Sequence, residues 1–212
     1  MLHSPTHRLT PRRPWMPLTD DEWLALWPYV WNRCPQGRQV GDLRARMDAI
    51  FELAVRGHDV PWRDVSCFSG KPDTIARFFR RATHNGLWHR LLEALTDLSD
   101  CPDHPLRRIE YFVCRAARRA ARLGGLRLIF LIRRLGLETA LNAPPWLLPN
   151  PFYDALVRRL GIAYARDWRP RPAEALPDFR ARTRDTIRTL KTLHRMAAGQ
   201  SRIRRSVRLC WP

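Results

Sequence analysis

Long apolar runs, strand-like alternation and paired cysteines are all missing from this chain. The longest apolar stretch, residues 126–135, is interrupted by Arg127, Arg133 and Arg134. It is too short and too charged to span a bilayer, so no transmembrane segment is expected. No segment alternates apolar and polar residues with the period of two that a half-buried strand needs. The five cysteines (Cys34, Cys67, Cys101, Cys114 and Cys210) include no Cys-x-x-Cys pair, and residues 1–17 are Pro- and Arg-rich without an apolar leader. Together these read as reduced thiols in a cytoplasm and a loose N-terminal tail. Cys101-x-x-His104 lacks the second half of a zinc site. None of the seven histidines forms His-Glu-x-x-His, and neither a phosphate-cradling Gly-x-x-x-x-Gly-Lys-Ser/Thr loop nor a Gly-x-Ser-x-Gly elbow is present. No cofactor, metal or small-molecule substrate is therefore expected.

Acidic residues are also scarce, 20 against 38 Lys+Arg, for a formal charge of +18, and nearly all the cations are Arg. That imbalance favours a polyanion partner, nucleic acid first and an anionic membrane surface second. Residues 1–98 carry 14 basic and 11 acidic side chains, whereas residues 99–212 carry 24 and 9. A boundary is placed at that step. The expected divisions are a tail (1–17), a DNA-binding domain (18–98), a basic helical region (99–200) and a basic tail (201–212), the last docking on nucleic acid.

What is present is helical periodicity. Thr19 and Glu22 have capping-box spacing ahead of an apolar side formed by Leu26, Trp27 and Val30, with Pro28 expected to end or bend the helix. After a loop at residues 34–39, Asp42 caps a helix that buries Met47, Ile50, Phe51 and Ala54 and stops at Gly57. Residues 61–68 read as a short helix with Trp62, Val65 and Phe68 on its apolar side. Gly70 and Pro72 break the chain, Asp73 or Thr74 caps a longer helix, and Asn85-Gly86 stops it. That helix places Ile75, Phe78, Phe79 and Ala82 on one face and Arg77, Arg80, Arg81 and His84 on the other. Helix, tight turn and basic second helix is the layout of a helix-turn-helix DNA reader. A helical hairpin with a solvated Arg face is the alternative. Trp88, Leu91, Leu92 and Leu95 mark one more helix. Trp23, Trp27, Trp62 and Trp88 are expected in the core, and His84 and His89 on a basic surface. The fold class is all-α: a small bundle with a helix-turn-helix, then an Arg-rich helical region.

The succession Leu18-Thr19-Asp20-Asp21-Glu22-Trp23, Gly37-Arg38, Asp42-Leu43-Arg44, Asp48-Ala49-Ile50, Arg56-Gly57, Pro61-Trp62-Arg63-Asp64, Thr74, Arg77-Phe78-Phe79-Arg80-Arg81, Gly86-Leu87-Trp88 and Leu91-Leu92-Glu93-Ala94-Leu95 resembles the N-terminal helix-turn-helix domain of insertion-sequence transposases. The resemblance covers about residues 17–95. It implies a helical domain that binds double-stranded DNA at transposon terminal inverted repeats. It also implies a following nuclease domain with three metal-holding carboxylates. The chain departs from the family at Gln39 and Ala82, where Pro and Trp are usual. The departure is larger downstream. Past residue 98 the carboxylates are Asp100, Asp103, Glu110, Glu138, Asp154, Asp167, Glu174, Asp178 and Asp185, and none sits in a β-rich run. The two-metal chemistry needs convergent carboxylates on a rigid scaffold. The expectation is a nucleoid-associated DNA-binding relative without a complete catalytic domain, working with itself or with a catalytic transposase chain. An active or split transposase, and an RNA-binding or anionic-membrane-surface protein, are the alternatives.

The second half reads as helical and basic. Residues 106–123 put Ile109, Phe112, Val113, Ala116, Ala120 and Leu123 on one side, while Arg115, Arg118, Arg119 and Arg122 are expected to form an outward ridge that tracks a phosphate backbone, with a solvated helix face as the alternative. Gly124-Gly125 breaks this helix before another that buries Leu128, Ile129, Leu131 and Ile132. Gly161 is expected to end a short helix begun at Asp154, and residues 180–196 form a last amphipathic helix. The expected DNA-binding residues are Arg63, Lys71, Thr74, Arg77, Arg80, Arg81, His84, Arg115, Arg118, Arg119 and Arg122.

Overall fold

A computed structural model describes residues 8–31, 41–57, 59–68, 70–200 and 203–211. The expected loop at 34–39, with Cys34, lies outside the described residues, as do parts of both tails. Two compact units divide between Asn142 and Ala143, not at the charge step near residue 98. Each is all-α. The described residues hold no strand, only one parallel bridge between Arg8 and Leu137.

The first unit contains α1 (Asp20–Val30), α2 (Leu43–Arg56), a 3-10 turn (Trp62–Asp64), α3 (Pro72–His84), α4 (Leu87–Asp97), the one-turn α5 (Pro105–Arg108) and α6 (Glu110–Leu135). Its organising element is α6, against which α2, α3 and α4 all pack. The first half of α6 is buried nearly all round, including Phe112, Val113, Ala116, Ala117, Ala120 and Ala121. A helix covered on every side is a core helix. The paired alanines explain how: they are small enough for three neighbouring helices to close in. This is also why the unit boundary falls late, since α6 is the core of residues 18–98 rather than the start of a separate region.

Aromatic residues fill the remaining space. Phe51 of α2 meets Phe112 of α6 at 5.9 Å between ring centroids, and Phe79 of α3 sits between Trp62 at 5.1 Å and Trp88 at 5.6 Å. Burying one such side chain contributes about 1.5–3 kcal/mol. The sole hydrogen-bonding atom of the Trp88 side chain is satisfied inside the core: Nε1 donates to Thr83 Oγ1 at 2.9 Å, and that hydroxyl donates to Phe79 O at 2.8 Å.

The capping box of α1 forms as expected. Pro28 does not end this helix, which runs to Val30. Trp27 lies exposed rather than in the core, stacked on Trp31 at 5.8 Å between centroids. Residues 8–17 are not a loose tail. Arg8 and Thr10 bond Glu110, and Arg13 pairs with the buried Glu22 at 2.9 Å while lying over the Phe112 ring. Two buried carboxylates attract these cations, and their pairing offsets the cost of burying charge. The Gly124-Gly125 break is a kink inside α6, at Gly125 (φ 60°, ψ −152°). Beyond it Leu128, Ile129, Leu131 and Ile132 are buried, whereas Leu123 is exposed.

The second unit is an antiparallel hairpin of α7 (Pro151–Arg166) and α8 (Leu176–Ala198), followed by α9 (Arg205–Cys210). Gly161 lies within α7 rather than ending it, and part of the expected basic tail forms α9. Residues 147–150 are sewn to the end of α8 by Asn150 N to Ala197 O and Gln200 N to Leu147 O, both 2.9 Å. Few side chains here are buried, and Trp146, Phe152, Ile162 and Trp168 are exposed.

Candidate nucleic-acid interface

Helix α3 is fixed by one face. Ile75, Phe79, Ala82 and Thr83 are buried, while Phe78 is half-buried under the Arg46 guanidinium, 5.7 Å from its ring centre. The opposite face exposes Arg77, Arg80, Arg81 and His84, and Lys71 stands exposed just before the helix. At about 1.5 Å rise per residue, Arg77 to His84 covers about 10 Å of surface. Arg77 and Arg81, four apart, share one edge. Neither they nor Arg80 form an ion pair among the described residues, and the Arg80 Nε donates to Ala76 O within its own helix. Arg63, exposed on the adjoining 3-10 turn, lies 3.8 Å from Asp64. Thr74 is half-buried, and neither it nor Asp73 caps the helix: Lys71 is the N-cap, without a side-chain cap bond.

The element before α3 differs from the expected short helix. Residues 61–68 make only the three-residue turn Trp62–Asp64. The physical reason is Glu52, buried on α2, which accepts hydrogen bonds from Ser66 N, Ser66 Oγ and Cys67 N. Amides that would continue a helix are committed to a carboxylate instead. Burial raises the Glu52 pKa, but the bonds from Ser66 and Cys67 outweigh it, so the carboxyl sits below its ordinary value. Burial, and then the same carboxylate, pushes the Cys67 thiol up to about 12, so this cysteine is inert at neutral pH. The tight turn lies on the other side of α3. Asn85 and Gly86 (φ 72°) link it to α4, with Asn85 N bonding Arg81 O and Gly86 N bonding Thr83 O. The basic helix is thus the first of its tight pair, not the second.

The expected ridge on α6 is not an outward ridge. Arg115 donates to Ala54 O at 3.2 Å. Arg118 is 1% exposed. Arg119 donates to Val60 O at 2.8 Å and lies 4.1 Å over the Trp62 ring. Only Arg122 of the four is exposed. Burial, and then repulsion from a neighbouring Arg, lowers the pKa of Arg118 and of Arg119 to about 10, which leaves both charged at neutral pH. This inward placement follows from the core role of α6: covering helices close over the Arg stems and turn the guanidinium groups to backbone carbonyls and an aromatic face.

A basic row that sequence reasoning passed over lies on α8, where Arg180, Arg184, Arg188, Lys191 and Arg195 are all exposed. Their three- and four-residue spacing was the available signal. Unlike the α6 row, it is not interleaved with paired alanines.

Among the described residues no three His, Cys, Asp or Glu side chains gather where a metal could bind, and no described helix is long and apolar enough to cross a membrane. In comparisons with known proteins, no family model, no curated protein and no solved structure matches this chain.

Proposed function

We propose that this chain binds double-stranded DNA through the basic face of α3 and is related to the DNA-binding part of insertion-sequence transposases. In this reading it engages terminal inverted repeats on the nucleoid, with itself or a separate catalytic transposase chain as partner. The observation that carries the reading is the exposure of Arg77, Arg80 and Arg81 without carboxylate partners among the described residues, on a helix whose other face is locked by Phe79, Thr83 and Trp88. A rigid helix with unneutralised guanidinium groups presents both bidentate donors for base edges and charge for phosphates.

Arg77, on the outward edge, is assigned to a base edge. Arg80, partly turned to its own helix, is assigned to phosphate. The test begins by selecting a preferred duplex from random sequences. On that duplex Arg77→Ala should cost about 1–3 kcal/mol, with little loss on random DNA, whereas Arg80→Ala should weaken both. If neither substitution changes either affinity, α3 is not the interface.

A further inference from the structure

We infer that the second unit carries a separate site for single-stranded polynucleotide, built on α8 and the turn before it. A groove of about 610 Å³ lies along α8. It is lined by one face of α8, with Arg180, Arg184, Arg188, Lys191 and Arg195, together with the rings of Trp168 and Phe179. From Arg180 to Arg195 the row runs about 22 Å along the helix axis. The two rings are 6.3 Å apart, and Trp168 is 57% exposed.

The Phe179 ring of this aromatic end is held in place. The Arg182 guanidinium lies 5.4 Å over the Phe179 ring. It is itself held by the Glu174 carboxylate at 2.7 Å and by Arg169 O at 3.1 Å. Inside the groove the Thr183 hydroxyl is buried without a hydrogen-bond partner. No acidic side chain lines the groove; Asp185, outside the lining, lies 3.6 Å from Arg188, with both side chains exposed.

Cations in a row beside an exposed aromatic platform are the two parts of single-strand recognition, one tracking phosphates and the other stacking a base. A duplex keeps its bases stacked on one another and offers nothing to Trp168. A bilayer presents a flat surface, whereas these cations share a concave groove with the rings. The ligand chemistry is an unpaired polynucleotide, DNA or RNA, and the site is independent of the duplex reading of α3.

The full-length protein should bind labelled oligo(dT) and oligo(U) in fluorescence anisotropy; tight binding of one alone would identify the strand as DNA or RNA. Trp168→Ala should weaken that binding about 5-fold or more, and Trp168→Phe should largely restore it, because stacking needs only a ring. Combining Arg184→Gln, Lys191→Gln and Arg195→Gln should lower the log–log salt slope by about 2, near 0.7 per contact on a single strand. Arg77→Ala with Arg81→Ala should leave oligo(dT) binding intact, which separates this site from α3. The inference is overturned if Trp168→Ala binds as the parent does. It is also overturned if the α8 variant loses duplex and single-strand binding equally, or if phosphatidylglycerol vesicles displace the oligonucleotide from the α8 groove.

Discussion

Arg119→Ala separates a structural from a DNA-contacting role for the α6 arginines. Its side chain makes a charge-assisted hydrogen bond to Val60 O and covers the Trp62 ring, the outermost ring of the Trp62–Phe79–Trp88 series that seats α3. Such a hydrogen bond contributes about 1.5–3 kcal/mol, and a partly desolvated cation–π contact about 1–2 kcal/mol. Burial opposes this. It holds the guanidinium pKa down at about 10, and Nη1 is buried without a hydrogen-bond partner. The expected net loss is therefore about 2 kcal/mol, below the sum of the contacts. With a urea slope of about 1–3 kcal/mol per molar, the unfolding midpoint should fall by about 1 M. The salt slope of duplex binding should not change, because the group that is removed faces a carbonyl and a ring. Arg122→Gln, at an exposed position, should move stability by no more than about 0.5 kcal/mol. An unmoved midpoint for Arg119→Ala, with a salt slope smaller by about 0.9, would mean that Arg119 contacts phosphate and that its inward placement is wrong.

Glu52→Gln should cost about 2 kcal/mol at neutral pH, because it weakens the bonds to Ser66 and Cys67. Since the folded carboxyl lies below its ordinary value of 4.5, its stabilisation is present above that pH and fades as pH falls through the folded value. The variant should lack that acid-side slope in pH-dependent denaturation. Thr83→Val should strand the Trp88 Nε1–H in the core and cost about 1–3 kcal/mol, read as a lower melting temperature; a value equal to the parent's would show that the hydroxyl is dispensable. Gly199→Ala would place a Cβ 2.6 Å from Leu148 C at a residue with φ 67°. It should loosen residues 147–150 from the end of α8, seen as faster amide exchange at Asn150 and Gln200, while exchange in α2 and α6 is unchanged.

Local chemistry was legible in the residues themselves. The Thr19–Glu22 box starts α1, the apolar stripes of α2, α3 and α4 face inward, and the exposed basic face of α3 lies where its spacing puts it. These are set by contacts within three or four residues, so helical periodicity alone determines them. The rest depends on partners far along the chain. Glu52 captures amides fourteen residues on and dissolves the expected short helix into a single turn. The Ala116, Ala117, Ala120 and Ala121 pairs let three helices close over α6, which turns an apparent phosphate ridge into core contacts. Arg8 and Thr10 reach Glu110 from about a hundred residues away, so a segment that reads as a tail is packed. An arginine at helical spacing carries the same sequence signal whether it faces water or a carbonyl. Only the covering elements decide between the two, because the cost of burying its charge is met by acceptors that lie elsewhere in the chain.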